Sequence, residues 1–224
     1  MVARLNFLTD EEALVFQSNV SRTLADLRRG AKVSDVRFDQ LYSREIRNLS
    51  CKHWTPVCVA MRVAELLVTD SDTRILDVGS GSGKFCLVGA LTSPGNFYGV
   101  EQRLPLVETA SSLVQRYQVE RVAFYHADMT AFDWSSYHAF YLFNPFYENL
   151  APSIRIDQSI AMSDERYQSL VRATYERLSL VPVGTRVATF HGYGGTMPKG
   201  FDLILREPIA TGVIELWIRS KSAA

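Results

Sequence analysis

The segment from Ile75 to Phe85 constrains this chain more than any other. It is an apolar run that ends in an acid, then a glycine-rich turn, then apolar residues with helical spacing, in the order Ile-Leu-Asp-Val-Gly-Ser-Gly-Ser-Gly-Lys-Phe. Three glycines at every second position leave no Cβ where a strand must turn sharply into a helix, so the backbone can approach a ligand closely. The first N–H groups of that helix have no partner within it. The segment therefore predicts a strand, a turn and a helix that bind a nucleotide-like ligand.

Three ligands compete for such a turn: a triphosphate, a dinucleotide and S-adenosylmethionine. A triphosphate loop needs four residues between its first Gly and a Gly-Lys-Ser/Thr, but Val78 stands in place of that Gly and Phe85 in place of the hydroxyl residue. The dinucleotide fingerprint, Gly-x-Gly-x-x-Gly, is weakened rather than excluded, because Lys84 occupies its third glycine position. The pattern that remains, acid-x-Gly-x-Gly-x-Gly from Asp77 to Gly83, resembles the first motif of class I S-adenosylmethionine-dependent methyltransferases.

This resemblance implies further cofactor contacts at the ends of the next two strands. Glu101 ends a second predicted strand, residues 96–101, and a carboxylate there can accept hydrogen bonds from both ribose hydroxyls. Asp128 follows a third, residues 121–126, and is similar to the acid of the family's third motif, which binds the adenine amino group while Met129 packs on the ring. A solvent-facing acid at 101 and a plain turn former at 128 remain as alternatives.

A fourth motif bears on the acceptor. The predicted strand 137–143 runs directly into Asn144-Pro145-Phe146-Tyr147, which resembles the Asn-Pro-Pro-Tyr/Phe signature of methyltransferases that modify amino or amide nitrogens. An Asn carboxamide oxygen and a proline-constrained carbonyl can both accept from an NH₂ group, and an aromatic ring can stack on a planar acceptor. The resemblance thus implies catalytic roles for Asn144, Pro145 and Tyr147. Phe146 replaces the second proline, and an ordinary Asn-Pro turn is the alternative.

A turn upstream of the glycines matches the same family. His53-Trp54-Thr55-Pro56 is similar to an aromatic-Thr-Pro turn that touches the methionine part of the cofactor in adenine-N6-type enzymes. The alternative is a simple helix start, with Thr55 as N-cap and Pro56 in the first helical position. The cofactor-binding residues that the resemblance implies are therefore Trp54, Thr55, Pro56, Asp77, Gly79, Ser80, Gly81, Gly83, Glu101, Gln102, Asp128, Met129 and Asn144.

Composition fits one catalytic domain with a helical layer in front of it. The 224 residues can bury a full core without metal or disulfides, and 24 basic residues balance 24 acidic ones, which gives no global footprint for nucleic acid. Three cysteines without a C-x-x-C pair favour a reducing compartment, and we find no signal peptide or membrane span, so a cytoplasmic location is expected. The four histidines show no metal spacing.

The pattern of elements predicts an α/β fold. A capping box at Thr9 and Glu12 starts a helix, a second helix is predicted over 38–49, and a third follows Pro56. We assign residues 1–72 to this N-terminal helical layer and 73–224 to the S-adenosylmethionine-binding domain. From residue 74 strands and helices alternate, with a helix opened by Ser163 and a fifth strand at 184–190, and strands 201–206 and 213–219 then follow each other without a helix. The expected fold is a doubly wound, mostly parallel sheet of seven strands that ends in an antiparallel pair.

The implied reaction is in-line transfer of a methyl group to a nitrogen, with S-adenosylmethionine as cofactor. A protein acceptor is favoured over RNA or a small amine, and DNA is disfavoured because no target-recognition region stands out. The apolar loop 151–162 is a candidate lid, and residues 191–195 border the same cleft in this hypothesis. Two other functions remain as alternatives. One is a methyltransferase-like binding module without catalysis, and the other is a nicotinamide-dependent oxidoreductase.

Overall fold

A computed structural model describes residues 10–221, with side chains from residue 17 onward. Its centre is a seven-stranded sheet of order β3-β2-β1-β4-β5-β7-β6, in which β7 runs antiparallel to both of its neighbours. The strands are β1 Arg74–Val78, β2 Asn96–Glu101, β3 Val122–His126, β4 Ala139–Leu142, β5 Arg186–Phe190, β6 Phe201–Ile209 and β7 Gly212–Arg219. The helices are α1 Asp10–Arg28, α2 Asp35–Phe38, α3 Arg44–His53, α4 Val57–Leu67, α5 Lys84–Thr92, α6 Leu104–Tyr117 and α7 Asp164–Leu180.

This arrangement confirms the predicted fold class, including the antiparallel pair that closes the parallel sheet. Strand β2 has the bounds that the sequence predicts, and Ser163 caps α7 by accepting from the Arg166 N–H. The last hairpin is tighter than predicted. Strand β6 continues through Pro208 to Ile209, so the predicted connection 207–212 was wrong. Pro208 is tolerated because β6 is the edge strand and needs no ladder N–H on its outer side.

Side chains of the central strands alternate between two hydrophobic cores. Ile75 and Phe97 belong to the core that also holds α1, α4 and α5, whereas Leu76 and Phe140 belong to the core under α7. A strand that is buried on both faces has no solvent-facing side, which explains why β4 is apolar throughout and β1 is apolar apart from Arg74 and Asp77.

Helix α5 explains why a helical layer is needed at all. Every residue from Lys84 to Leu91 is buried, and a helix that is apolar all round must be covered on every side. The sheet covers one side, where Gly89 lies directly over Phe97, and α1 and α4 cover the other. The buried residues of α1 are Val20, Thr23, Leu24 and Leu27. The division at residue 72 stays a prediction.

Two local predictions in this layer were wrong. The helix predicted over 38–49 is instead α2, a 3₁₀ turn and α3, because Ser34 and Ser43 each cap a separate helix start. Thr55 is not the N-cap of α4, and Pro56 precedes its first residue. The carboxylate of Asp35 accepts from the Val57 N–H instead, at 2.9 Å. The predicted capping box at Thr9 lies outside the described residues.

Within residues 10–221, no helix is both long and apolar enough to cross a bilayer.

Close contact between α5 and β2 can be tested at Gly89. A Cβ added there would lie 2.2 Å from the Phe97 ring, so Gly89→Val should destabilise the fold by about 3 kcal/mol or more through overpacking. Gly30→Ala is the matched control, because its Cβ would meet nothing within 4 Å and only the positive φ costs about 1 kcal/mol. Chemical denaturation measures both, and an equal loss would contradict the packing described.

Candidate active site

The cleft lies at the carboxyl ends of β1 to β4, where ligands of open parallel sheets bind. It encloses about 870 Å³ with the open solvent at its mouth included. Residues that line it are Lys52, His53, Trp54, Gly79, Gly81, Val100, Glu101, Gln102, Arg103, Ala127, Asp128, Met129, Phe143, Asn144, Pro145, Phe146, Tyr147, Glu148, Ile154, Ile156 and Leu170. A small adjoining cavity is lined by His53, Trp54, Thr55, Asp77, Gly79, Ser80, Lys84, Phe85 and Phe143.

These two lining sets include most of the residues that the sequence implied. Two of them are absent: Pro56 belongs to the start of α4, and Gly83 packs beneath the loop against Phe124 and Ala110. His191 does not line the cleft either, and its ring packs on Phe190 at 4.3 Å between centroids. The next residue does reach the site, because the Gly192 carbonyl accepts from the Asn144 N–H at 2.9 Å.

The glycine turn has the left-handed backbone that its spacing predicts. Gly79 and Gly81 have φ of 79° and 54°, which any other residue adopts only with strain. A Cβ on Gly81 would lie 2.3 Å from the Trp54 ring, and one on Gly79 would lie 3.0 Å from Pro145 Cβ. The glycines therefore let the aromatic-Thr-Pro turn and the Asn-Pro motif close on the loop from two sides.

Glu101 is buried beside this loop. One carboxylate oxygen accepts from the Gly81 N–H at 3.1 Å, and the other accepts from the Arg103 N–H at 2.9 Å. Burial raises the pKa of Glu101 above its ordinary value, against the effect of those two hydrogen bonds. The carboxylate is thus fixed at the end of β2 with acceptor lone pairs left over for a ligand.

Asp77 is the second buried acid of the site. It lines the small cavity, and its one side-chain hydrogen bond among the described residues comes from the Cys86 thiol, a weak donor, at 3.6 Å. Burial raises the pKa of Asp77 to about 8, and the Glu101 carboxylate adds to the shift. A ligand cation in this cavity would favour the ionised form of the Asp77 carboxyl.

Asp128 is more open. Its carboxylate accepts from the Thr130 N–H and hydroxyl at 2.8 and 2.7 Å, and Arg166 lies 3.5 Å away. Burial alone would raise the pKa of Asp128, but these donors lower it overall. Arg166 also donates to Gln102 at 2.8 Å and so joins the ends of β2 and β3 to α7.

The Asn-Pro motif carries local strain. Asn144 has φ of 40°, a conformation that asparagine tolerates better than most residues. Asn144 and Pro145 both line the cleft, and neither the Asn144 carboxamide nor the Pro145 carbonyl makes a hydrogen bond to the described part of the chain. Phe146 is buried in the core under α7, whereas Tyr147 is 46% exposed at the rim. The motif therefore has two acceptors without partners among the described residues, next to an exposed aromatic ring.

Sequence reasoning missed the ion pairs that hold the loop after this motif. Arg103 is buried. Its two terminal nitrogens donate hydrogen bonds to Glu148 at 3.1 and 2.9 Å, and its Nε donates to Asp157 at 3.2 Å. Glu148 also accepts from the Ile156 N–H at 2.8 Å. These contacts hold Ile154 and Ile156 in the wall of the cleft. The partners lie far apart in the chain, so no local pattern indicates them.

Residues 69–146 match the family model described as "Methyltransferase domain", about a third of the chain. The sheet order, the terminal hairpin and this match define the class: the chain contains a methyltransferase domain with the class I fold. S-adenosylmethionine is the methyl donor of that class. A search of the curated proteins finds no significant match.

Solved structures show the same fold. An RNA methyltransferase from Salinibacter ruber, in complex with S-adenosyl-L-homocysteine, is 20% identical with a TM-score of 0.55, over 76% of this chain and 95% of that one. TrmN from Thermus thermophilus is 17% identical with a TM-score of 0.57, over 79% and 52% of the two chains. A point mutant of MtNAS in complex with S-adenosylmethionine is 12% identical with a TM-score of 0.53, over 93% and 75%. Because the match to MtNAS covers 93% of this chain, the similarity of fold includes the N-terminal helices.

The pKa of Asp77 predicts a specific dependence of stability on pH. Because its folded pKa of about 8 exceeds the ordinary value of 3.8, the folded state holds a proton that the unfolded state loses, and stability falls as pH rises between these values, by at most about 1.4 kcal/mol per pH unit. Asp77→Asn should remove this slope, and exposed Asp72→Asn should keep it. Urea denaturation between pH 5 and pH 8 measures both variants. If the free energy of unfolding changed equally with pH in Asp77→Asn and in wild type, that result would contradict a raised pKa of Asp77.

Proposed function

We propose that this protein uses S-adenosylmethionine to methylate an amino or amide nitrogen. One observation carries the proposal: Asn144 and Pro145 line the cleft on a strained turn that packs against Gly79, and neither the Asn144 carboxamide nor the Pro145 carbonyl has a hydrogen-bond partner among the described residues. Two fixed acceptors side by side match the two hydrogens of an NH₂ group. Backbone strain concentrates at functional sites, which supports the same assignment.

The described residues fit the cofactor. Asp77 lines the small cavity and has only a thiol donor among them. A ligand ammonium group in that cavity would pair with the Asp77 carboxylate. The residues that we propose as cofactor contacts are Trp54, Thr55, Asp77, Gly79, Ser80, Gly81, Glu101, Gln102, Asp128 and Met129. Bound there, S-adenosylmethionine supplies an electrophilic methyl group.

The protein's own contribution is to orient the acceptor and to exclude water. Asn144 and Pro145 would hold the NH₂ group so that its lone pair faces the methyl, and Tyr147 would form one wall. Ile154 and Ile156 would shield the reacting atoms, which strengthens the polar contacts inside. Correct placement of two reacting atoms at roughly 3–3.5 Å can supply most of the acceleration.

We favour a protein side chain as acceptor, because the chain has no net charge and a nucleic-acid enzyme usually has a basic surface. RNA is the second candidate, since the Salinibacter ruber neighbour is described as an RNA methyltransferase. A small amine is the third. Incubation of cell extract with the protein and tritiated S-adenosylmethionine, followed by nuclease or protease treatment, tests the choice: protease-sensitive label supports the first, nuclease-sensitive label the second, and label of low molecular mass the third. Cofactor binding without any transfer would instead indicate a binding module.

Glu101→Gln should weaken cofactor binding. The amide cannot accept from both the Gly81 and the Arg103 N–H and still bind ribose hydroxyls, and lost hydrogen bonds to a charged group correspond to roughly 10- to 100-fold in dissociation constant. Calorimetric titration with S-adenosylhomocysteine measures this effect. The exposed Glu108→Gln on α6 is the control and should bind like wild type. If Glu101→Gln bound S-adenosylhomocysteine as tightly as wild type, that result would contradict the assignment of Glu101 as a cofactor contact.

Asn144→Ala should lower methyl transfer by about 100-fold or more, because the acceptor loses its orientation, while the dissociation constant for S-adenosylhomocysteine stays within about threefold. Asn144→Gly separates side chain from backbone, since glycine adopts the φ of 40° freely, and it should be equally inactive. Tritium transfer and calorimetry give the two readouts. Activity retained in Asn144→Gly would contradict the assigned role of the carboxamide.

A further inference from the structure

A histidine lines the same cleft as the Asn-Pro motif. His53 is the last residue of α3 and lines both the main cleft, with Asn144 and Tyr147, and the small cavity. The end of α3 is fixed in place: Ser50 Oγ accepts from Lys84 Nζ at 3.1 Å, and Trp54 Nε1 donates to the Ile46 carbonyl at 3.2 Å. The imidazole is therefore held at the site by the helix that carries it.

The carboxylates that line the main cleft each accept hydrogen bonds from the chain itself. Glu101 accepts from two backbone N–H groups, Glu148 accepts from Arg103 and Ile156, and Asp128 accepts from Thr130. Among the described residues, the His53 ring takes part in no hydrogen bond. It is thus the cleft-lining base with a free nitrogen.

Its surroundings keep the imidazole neutral. Burial is the main cause that lowers the pKa of His53 below its ordinary value, and the cations Arg103 and Lys52 act in the same direction against Glu148. The charged or titratable groups around it are Lys52 on its own helix, Asp77 on β1, Lys84 on α5, Arg103 at the start of α6 and Glu148 after β4. A neutral imidazole can take a proton near pH 7.

We propose that His53 is the catalytic base that takes the proton from the acceptor nitrogen, an inference that rests on the proposed function. The nitrogen lone pair forms the new N–C bond, and the electrons of the broken C–S bond remain on sulfur. As positive charge develops on the nitrogen in the transition state, its surplus proton passes to the imidazole, which becomes imidazolium and later releases it to water. When Asn144 and Pro145 hold the NH₂ acceptor, its surplus proton lies between the Asn-Pro motif and α3, where His53 can accept it.

The experiment compares wild type, His53→Gln and His53→Ala in single-turnover tritium transfer to the acceptor fraction found above, between pH 5 and pH 8.5. Wild-type transfer should decline on the acid side as His53 becomes protonated. His53→Gln should be about 100-fold slower and should lack that acid limb, and added imidazole should partly restore His53→Ala. His138→Gln is the control, because His138 lies at the opposite end of β4, and it should behave like wild type.

Two readouts do not depend on activity. The His53 ring should titrate in NMR spectra at lower pH than an ordinary histidine, and His53→Gln should bind S-adenosylhomocysteine within about twofold of wild type. Transfer by His53→Gln at the wild-type rate with the acid limb intact would overturn this proposal alone. No transfer by the wild-type protein to any fraction would overturn the proposed function and this proposal with it.

Discussion

The glycine loop depends on a buried cation directly behind it. Lys84 is in the first turn of α5, where the helix dipole disfavours positive charge, and its side chain is 2% exposed. Nζ pairs with Asp35 at 2.6 Å and with Asp39 at 2.7 Å, and it donates to Ser50 at 3.1 Å. A buried cation left without its carboxylate partners typically costs 3–5 kcal/mol. The N-terminal helices and the loop therefore form one structural unit.

Other contacts between the N-terminal helices and the rest of the fold make the helical layer part of the cleft. Tyr42 donates to the Ser82 carbonyl at 3.2 Å, and the Thr55 and Tyr141 hydroxyls share a hydrogen bond of 3.1 Å. Trp54 packs where Gly81 lacks a Cβ. One wall of the cleft consequently comes from α3 and the turn after it, and the other comes from strand ends, so the site exists only where the two parts meet.

Features that depend on residues close together in the chain could be predicted from the sequence, and features that depend on distant partners could not. The glycine turn, strand β2 and the acid at its end depend on neighbours within a few residues, and their pattern indicates them directly. The acidic partners of Lys84 and of Arg103 are more than forty residues away in the chain, so their pairing requires the fold. The helix predicted over 38–49 was wrong because Ser43 caps a new helix start within that range, and a cap competes locally with helix continuation. Asp128 and Met129 do line the cleft, yet their contact with adenine stays a prediction.

Energetically unfavourable features gather at one edge of the sheet. Two buried carboxylates, Asp77 and Glu101, have raised pKa values there, Ser80 Oγ has no partner among the described residues, and Asn144 has a positive φ. Each costs stability in a chain that is otherwise locally consistent, which is typical of functional sites. A ligand that pairs with the two carboxylates would relieve part of these costs, and it would bind the folded state alone. Cofactor binding and the stability of the helical layer should therefore be coupled, because the same loop that approaches the ligand is held from behind by Asp35 and Asp39.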